Sequence, residues 1–280
     1  MFLKLETLQP TFSYKIRGAL NAVLRLAESS GDVRPLVTAS AGNHGRALAH
    51  AAREAALPLT VYVPRNAPRI KLDAIRQAGA ELRACRDYDD AEARAKEHGA
   101  SGQALFISPY SHPDVIAGAG TVGLEIVEAP EEIDAIVVPI GGGGLISGIA
   151  IAASESPRHP SVIGVEVEAS SPFTRSLAAG RIVEIEVGPT LADGLAGNLD
   201  PDTVTFDIVR RLVPVVVVVS ELQLETAIGG IAREERLIAE GAGATGVAAV
   251  LAGKITGRGQ RVAVVLSGGN IDLEKLKTLI

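Results

Sequence analysis

Short apolar runs alternate along the chain with longer stretches of helical periodicity. The runs predict strands at Phe2–Glu6, Pro35–Thr38, Thr60–Val63, Glu81–Ala84, Ala104–Ile107, Ala135–Ile140, Val162–Glu166, Val215–Val219 and Val262–Ser267. Several are rich in Val and Ile and almost continuous, the pattern of parallel strands covered on both faces. Between them the periodicity predicts helices at Ile16–Ser29, Gly45–Ala56, Pro68–Gln77, Tyr88–Glu97, Ala117–Glu128, Leu145–Ser154, Glu221–Glu234 and Ala244–Ile255. Such alternation implies an α/β fold with parallel, helix-covered sheets. No repeat, low-complexity tail or compositional linker interrupts it.

Composition narrows the function mainly by exclusion. The chain has 280 residues and a formal net charge of −6, which disfavours nucleic acid as a partner. With 3% aromatic residues and no Trp, few platforms exist on which bases could stack. The apolar run Val213–Val219 contains Pro214 and is too short to span a bilayer, so no membrane role is expected. A lone cysteine, Cys85, and the lack of a signal-peptide pattern after Met1 fit a cytoplasmic protein. Glycine is in excess, at 30 residues, and its placement carries the chemistry.

Gly141, Gly142, Gly143 and Gly144 follow a predicted strand and precede a predicted helix. Their N–H groups can converge on an anion, and the helix N-terminus adds partial positive charge. The run lacks the lysine of a P-loop and the spacing of a dinucleotide fingerprint, which points to a single phosphate. Four consecutive glycines also exceed what a plain turn needs. Thr38-Ala-Ser40-Ala41-Gly42-Asn43-His44-Gly45 is a second strand-to-helix turn. Its amides suit a carboxylate, though Ser40 and Asn43 serve equally well as helix caps. Val264–Asn270 is a third strand ending in small polar residues, either a closing turn or a share of one pocket at the strands' carboxyl ends. Lys15 opens a predicted amphipathic helix. A surface position is the default for any single lysine, yet a cation there opposes the helix dipole, a conflict that Schiff-base formation removes.

In order and spacing, Leu3-Lys-Leu-Glu6, Ser13-Tyr-Lys15-Ile-Arg17-Gly-Ala, Ser40–Gly45, Val115–Thr121, Gly141–Gly144, Thr190–Gly194, Glu240–Ala244 and Ser267–Asn270 resemble the fold-type II pyridoxal-phosphate enzymes. Within that class the likeness is to the threonine/serine dehydratase and serine racemase family. It implies two three-layer α/β/α domains with mostly parallel sheets, like the tryptophan synthase β chain. Residues 1–34 plus 113–280 are then the large cofactor-binding domain, and 35–112 the small mobile one. Pyridoxal 5′-phosphate is the implied cofactor. Lys15 looks like its Schiff-base residue and the base for the α-proton, and Gly141 to Gly144 with Leu145 like its phosphate cradle. By the same likeness Ser267 bonds the pyridine nitrogen, Asn43 contacts the ring hydroxyl, and Glu240 borders the ring. The amides of Ser40, Ala41, Gly42, Asn43 and His44 hold the substrate carboxylate.

The implied reaction is dehydration of a small β-hydroxy amino acid such as threonine or serine to a 2-oxo acid and ammonia. Alternatives are a racemase, another β-eliminating lyase, or a truncated, weakly active cofactor-binding protein. Ala41 stands where racemases of the group carry a serine, which disfavours racemisation, and His44 follows the dehydratases. Phe12, Tyr14 and Ala119 replace usual residues. Glu166 matches one ligand of a divalent cation that some relatives bind, but Pro172 occupies the second position, so no metal is expected. Relatives extend further ahead of the first strand, so either the start is misassigned or the chain is a shortened form with reduced activity. The chain stops soon after Ser267, so no C-terminal regulatory domain is expected. A homodimer or higher homo-oligomer is the implied assembly.

Overall fold

The computed structural model describes residues 1–29, 34–255 and 260–280. Its residues divide into two units, one of Met1–Tyr14 with Ala119–Ile280 and one of Lys15–Gly118. Among the described residues, all nine predicted strands are present and every pairing between them is parallel.

The first unit holds a five-stranded sheet in the order β1-β9-β6-β7-β8. These strands are β1 (Phe2–Leu5), β6 (Ala135–Pro139), β7 (Ser161–Val167), β8 (Val215–Val219) and β9 (Val262–Leu266). Successive residues of β6 point into two different cores. Ala135 and Val137 join one built on α9 (Glu221–Gly230) and α10 (Gly241–Leu251). Ile136 and Val138 join another, built on the later part of α5 (Pro113–Val127) with α6 (Gly144–Glu155) and α8 (Thr205–Leu212). Burial on both faces explains why the strand sequences are continuous rather than alternating. Glycines let the helices of this layer approach closely. A Cβ at Gly120 would lie 3.1 Å from the Gly148 carbonyl oxygen, and one at Gly123 2.9 Å from the Ile149 Cα.

The second unit holds a four-stranded sheet in the order β4-β3-β2-β5. Its strands are β2 (Leu36–Ala39), β3 (Leu59–Pro64), β4 (Glu81–Cys85) and β5 (Leu105–Phe106). On one face Leu36, Val61 and Val63 pack with α1 (Lys15–Ser29), α2 (Asn43–Glu54) and α3 (Arg69–Gln77). On the other Val37, Ala39 and Tyr62 pack with α4 (Tyr88–Ala100). Both units are therefore three-layer α/β/α sandwiches. The glycine after Arg17 and the one in Ala117-Gly118 are packing glycines. A Cβ at Gly18 would sit 2.6 Å from the Val115 carbonyl oxygen, and one at Gly118 2.7 Å from the Gly18 Cα.

Three helices were not anticipated: α7 (Pro172–Ala179), α8 and α11 (Leu273–Lys277). All are of eight residues or fewer, too short to establish a helical period. The helix predicted at Ala117–Glu128 begins earlier, at Pro113, because a proline is well suited to the first turn. Compactness groups α1 and the start of α5 with the four-stranded sheet, whereas the sequence expectation drew its boundaries at 34/35 and 112/113. Among the described residues no helix is long and apolar enough to cross a membrane.

Candidate active site

Strand order locates two crevices. In the five-stranded sheet the chain runs outward through β6, β7 and β8, then returns to the other side of β6 as β9. In the four-stranded sheet it runs outward through β2, β3 and β4, then returns beside β2 as β5. Ligands of open α/β sheets bind at the carboxyl ends of the strands flanking such a reversal. The predicted site residues lie at these ends. Gly141–Gly144 follow β6, Ser267–Asn270 follow β9, Ser40–His44 follow β2, and Lys15 is tied to the segment after β5.

The glycine loop is shaped for backbone recognition. Gly143, at φ +86°, is the left-handed cap of α6, a conformation that favours glycine. A Cβ there would meet the Phe173 Cζ at 2.6 Å and the Thr205 Cβ and Oγ1 at 2.9 Å. A Cβ on Gly141 would press on Leu195 at 3.2 Å. The Ser147 amide donates to the Gly143 carbonyl oxygen at 2.9 Å, so the amides of Gly144, Leu145 and Ile146 fall in the first helical turn, which leaves N–H groups unpaired. The Ser147 hydroxyl in that turn is buried without a hydrogen-bond partner.

The β9 end is knitted from both sides. The Tyr14 amide donates to the Ser267 carbonyl oxygen at 3.0 Å, and Gly269 donates to Phe12 at 2.9 Å. The Asn270 side chain donates to the Thr11 carbonyl oxygen at 2.9 Å. Ser267 is 4% exposed and Glu240 is 7% exposed. The Glu240 amide donates to the Gly268 carbonyl oxygen at 3.1 Å, which sets the buried acid at the head of α10 beside this turn. Glycines 241 and 243 make that approach possible, since a Cβ on either would lie within 2.2 Å of a carbonyl oxygen, of Leu191 or of Gly268 respectively.

In the other unit the Ser40 hydroxyl accepts from the Gly42 amide at 3.2 Å, closing the turn that leads into α2. A Cβ on Gly45 would lie 2.2 Å from the Ser40 carbonyl oxygen. Asn43 and His44 open the helix, whose first-turn amides form an anion-receptive end. The His44 ring is buried, with Nε2 donating to the Ile107 carbonyl oxygen at 3.3 Å and Nδ1 left without a partner. Burial, reinforced by the nearby charge of Lys15, lowers its pKa from 6.5 to about 3, so the imidazole stays neutral. Lys15 Nζ donates to the Pro109 carbonyl oxygen at 2.7 Å. Burial also lowers the pKa of His112, whose Nδ1 accepts from the Asp114 amide at 3.2 Å at the start of α5.

Glu166 is fully buried and its carboxylate is engaged. It accepts from the Phe173 and Thr174 amides, both at 2.8 Å, and from the Thr174 hydroxyl at 2.6 Å. It thus caps α7, while burial raises its pKa. Among the described residues no group of three or more His, Cys, Asp and Glu side chains could hold a metal. Three supporting residues escaped the sequence reading: Pro109, Phe173 and Thr205. The spacing Thr203-x-Thr205 ahead of a helix is a local signal for a hydroxyl turn; Pro109 acts through its carbonyl and Phe173 through its ring, and neither had one.

The sequence profile of the family described as Pyridoxal-phosphate dependent enzyme matches residues 1–268. An L-threonine ammonia-lyase of Thermotoga maritima is 42% identical over 281 aligned residues, covering 100% of this chain and 69% of that protein. An L-threo-3-hydroxyaspartate ammonia-lyase of Saccharomyces cerevisiae is 36% identical, over 100% of this chain and 86% of its own length. Among solved structures, maize serine racemase superposes with a TM-score of 0.91 at 33% identity, covering 99% of this chain and 85% of that one. The processed form of threonine deaminase isoform 2 from Solanum lycopersicum gives 0.90 at 32% identity, covering 99% and 81%.

Proposed function

The chain belongs to the pyridoxal-phosphate-dependent enzyme family, and from that premise we propose that it dehydrates a small β-hydroxy amino acid, threonine or serine foremost, releasing a 2-oxo acid and ammonia. The observation that carries the substrate class is the 42% identity, over the whole chain, to an L-threonine ammonia-lyase.

The residues present suit the cofactor. A single phosphate matches a loop that has no side chains, a left-handed glycine and a helix N-terminus behind it. The buried Ser147 hydroxyl beside that loop is an unsatisfied polar group of the kind a ligand completes. When bound, the cofactor supplies an aldehyde that takes up amines and a ring that draws electrons from the neighbouring carbon.

In this reading the amides of Gly141, Gly142, Gly143, Gly144 and Leu145 hold the phosphate. The Ser267 hydroxyl would bond the pyridine nitrogen, and a neutral partner there would leave the nitrogen largely unprotonated, favouring elimination over wider carbanion chemistry. The Asn43 amide orients the ring hydroxyl, and Glu240 borders the ring. Lys15 would hold the cofactor's aldehyde through Nζ, and the same atom would accept the substrate's α-proton. For that role Nζ would give up its hydrogen bond to the Pro109 carbonyl. The first-turn amides of α2 and the Ser40–His44 turn hold the substrate carboxylate. His44 stays neutral and adds no charge there.

Residues 35–112 as a mobile domain, a cytoplasmic setting and a homodimer or larger homo-oligomer belong to the same proposal. The likeness to maize serine racemase favours racemisation as the second reading. Ala41 argues against it, having no proton to deliver to the opposite face of the substrate. The test is to load the purified chain with pyridoxal phosphate and follow 2-oxo acid release from L-threonine, L-serine and threo-3-hydroxyaspartate. Release from at least one of them is expected. Racemisation outpacing release, or no release from any, overturns the reading.

A further inference from the structure

We propose that Thr205 is a positioning residue for the glycine loop: its hydroxyl sets the peptide between Gly142 and Gly143 so that the N–H of Gly143 points to the ligand side. This rests on the reading that the loop takes a phosphate.

The Thr205 hydroxyl lies 2.8 Å from the Gly142 carbonyl oxygen, to which it donates. Its only proton is spent there, so at 2.9 Å the Thr203 hydroxyl is the donor to Thr205 Oγ1. Thr203 in turn accepts from the Thr205 amide at 3.3 Å. The result is a directed relay: Thr205 amide to Thr203 hydroxyl to Thr205 hydroxyl to Gly142 carbonyl. Each member polarises the next, and all of it is shielded from water, since Thr205 is fully buried and Thr203 is 7% exposed.

A trans peptide is planar, with its C=O and N–H on opposite sides. Pulling the Gly142 oxygen toward α8 therefore turns the Gly143 N–H away from α8. Gly143 then enters its left-handed conformation, backed by the Phe173 ring and by the Thr205 side chain itself. Phe173 is held by the buried Glu166 carboxylate through its amide. A loop of consecutive glycines has no side chain to restrict it, and its unbound form is entropically costly to order. Thr205 removes part of that cost before the ligand arrives.

The test compares two probes on the apo-protein, pyridoxal phosphate and pyridoxal, which lacks the phosphate. The ratio of their dissociation constants isolates the phosphate's contribution. In Thr205→Val the shape is kept and the hydroxyl lost, and the ratio is expected to fall about tenfold, the worth of one buried hydrogen bond, with pyridoxal binding unchanged. Thr205→Ser restores the ratio. If Thr205→Val does not fold, as judged by thermal unfolding of the apo-form, Thr203→Val carries the test with an expected fall of about threefold. An unchanged ratio in the folded variant overturns the positioning role, as does a parallel loss of both probes. Equal binding of both probes by the wild-type protein overturns the phosphate reading of the loop instead, and the proposal with it.

Discussion

After β6 the chain enters α6 through four glycines, and after β2 it enters α2 through Ser40, Ala41 and Gly42. Both turns sit where strand order reverses, and both present the first amides of a helix. They differ in what supports them. The Ser40 turn supports itself, with its hydroxyl capping Gly42 and its carbonyl filling the space beside Gly45. The glycine loop has no such means and is held from behind by Thr205 and Phe173, from elements that follow far along the chain. A turn that gives its whole backbone to a ligand must borrow its rigidity from elsewhere. A turn with polar side chains can supply its own.

Lys15 carries the largest expected effect, because it alone has a proposed chemical role at the reacting atoms. Lys15→Ala is expected to lower 2-oxo acid release by about 10³-fold or more, within the range that general-base and nucleophilic groups contribute. Residual release within tenfold of wild type would sink the assignment.

Gly143 of one turn and Gly42 of the other predict opposite tolerance to a methyl group. Gly143→Ala places a Cβ 2.6 Å from Phe173 in a left-handed conformation, so cofactor affinity is expected to fall by about 10²-fold, equivalent to roughly 2–3 kcal/mol. Gly42→Ala meets nothing within 4 Å at a negative φ of −112°, and affinity should change by less than about threefold. Equal losses at the two positions would erase the contrast. Equilibrium titration with the cofactor measures both.

His44 sharpens the comparison through pH. Its folded pKa of about 3 lies below its ordinary 6.5, so between these values the unfolded chain binds more protons than the folded one. Stability then rises with pH across that window and is lost as pH falls through it. From pH 7 to pH 5 the expected loss from His44 is about 2 kcal/mol, at roughly 1.4 kcal/mol per pH unit below 6.5. Urea unfolding of His44→Asn should show a shallower pH dependence than wild type. An identical slope would show that the ring is not held neutral.

Glu166 probes the support behind the glycine loop. Glu166→Gln keeps the size but offers an amide where Phe173 or Thr174 needs an acceptor, at an expected cost of about 1–3 kcal/mol of stability. Cofactor affinity should fall only modestly, as Phe173 shifts beneath Gly143. No change in thermal unfolding would mean that α7 does not depend on this cap.

Much of this architecture was legible because parallel strands buried on both faces write themselves as unbroken Val/Ile runs. The glycine loop, the Ser40 turn, Ser267 and Lys15 stood at strand and helix ends, but apart from the glycine loop their residues alone left plain caps, turns or a surface lysine open, and the family resemblance supplied their roles. The helices α7 and α8 did not. Their eight residues give barely two turns, and the N-cap residue of each, Ser171 and Val204, makes no side-chain cap bond. Yet they carry Phe173 and Thr205, the two supports of the glycine loop. The carbonyl of Pro109, partner of Lys15, was illegible for a different reason: it acts through the backbone, which every residue shares.

The assignment of Lys15 is tested most directly by loading the protein with pyridoxal phosphate, reducing it with borohydride and mapping the labelled lysine by mass spectrometry. A stable pyridoxyl label on Lys15, lost in Lys15→Ala, is expected. A label on another lysine, such as Lys4 or Lys254, or none at all, would contradict it.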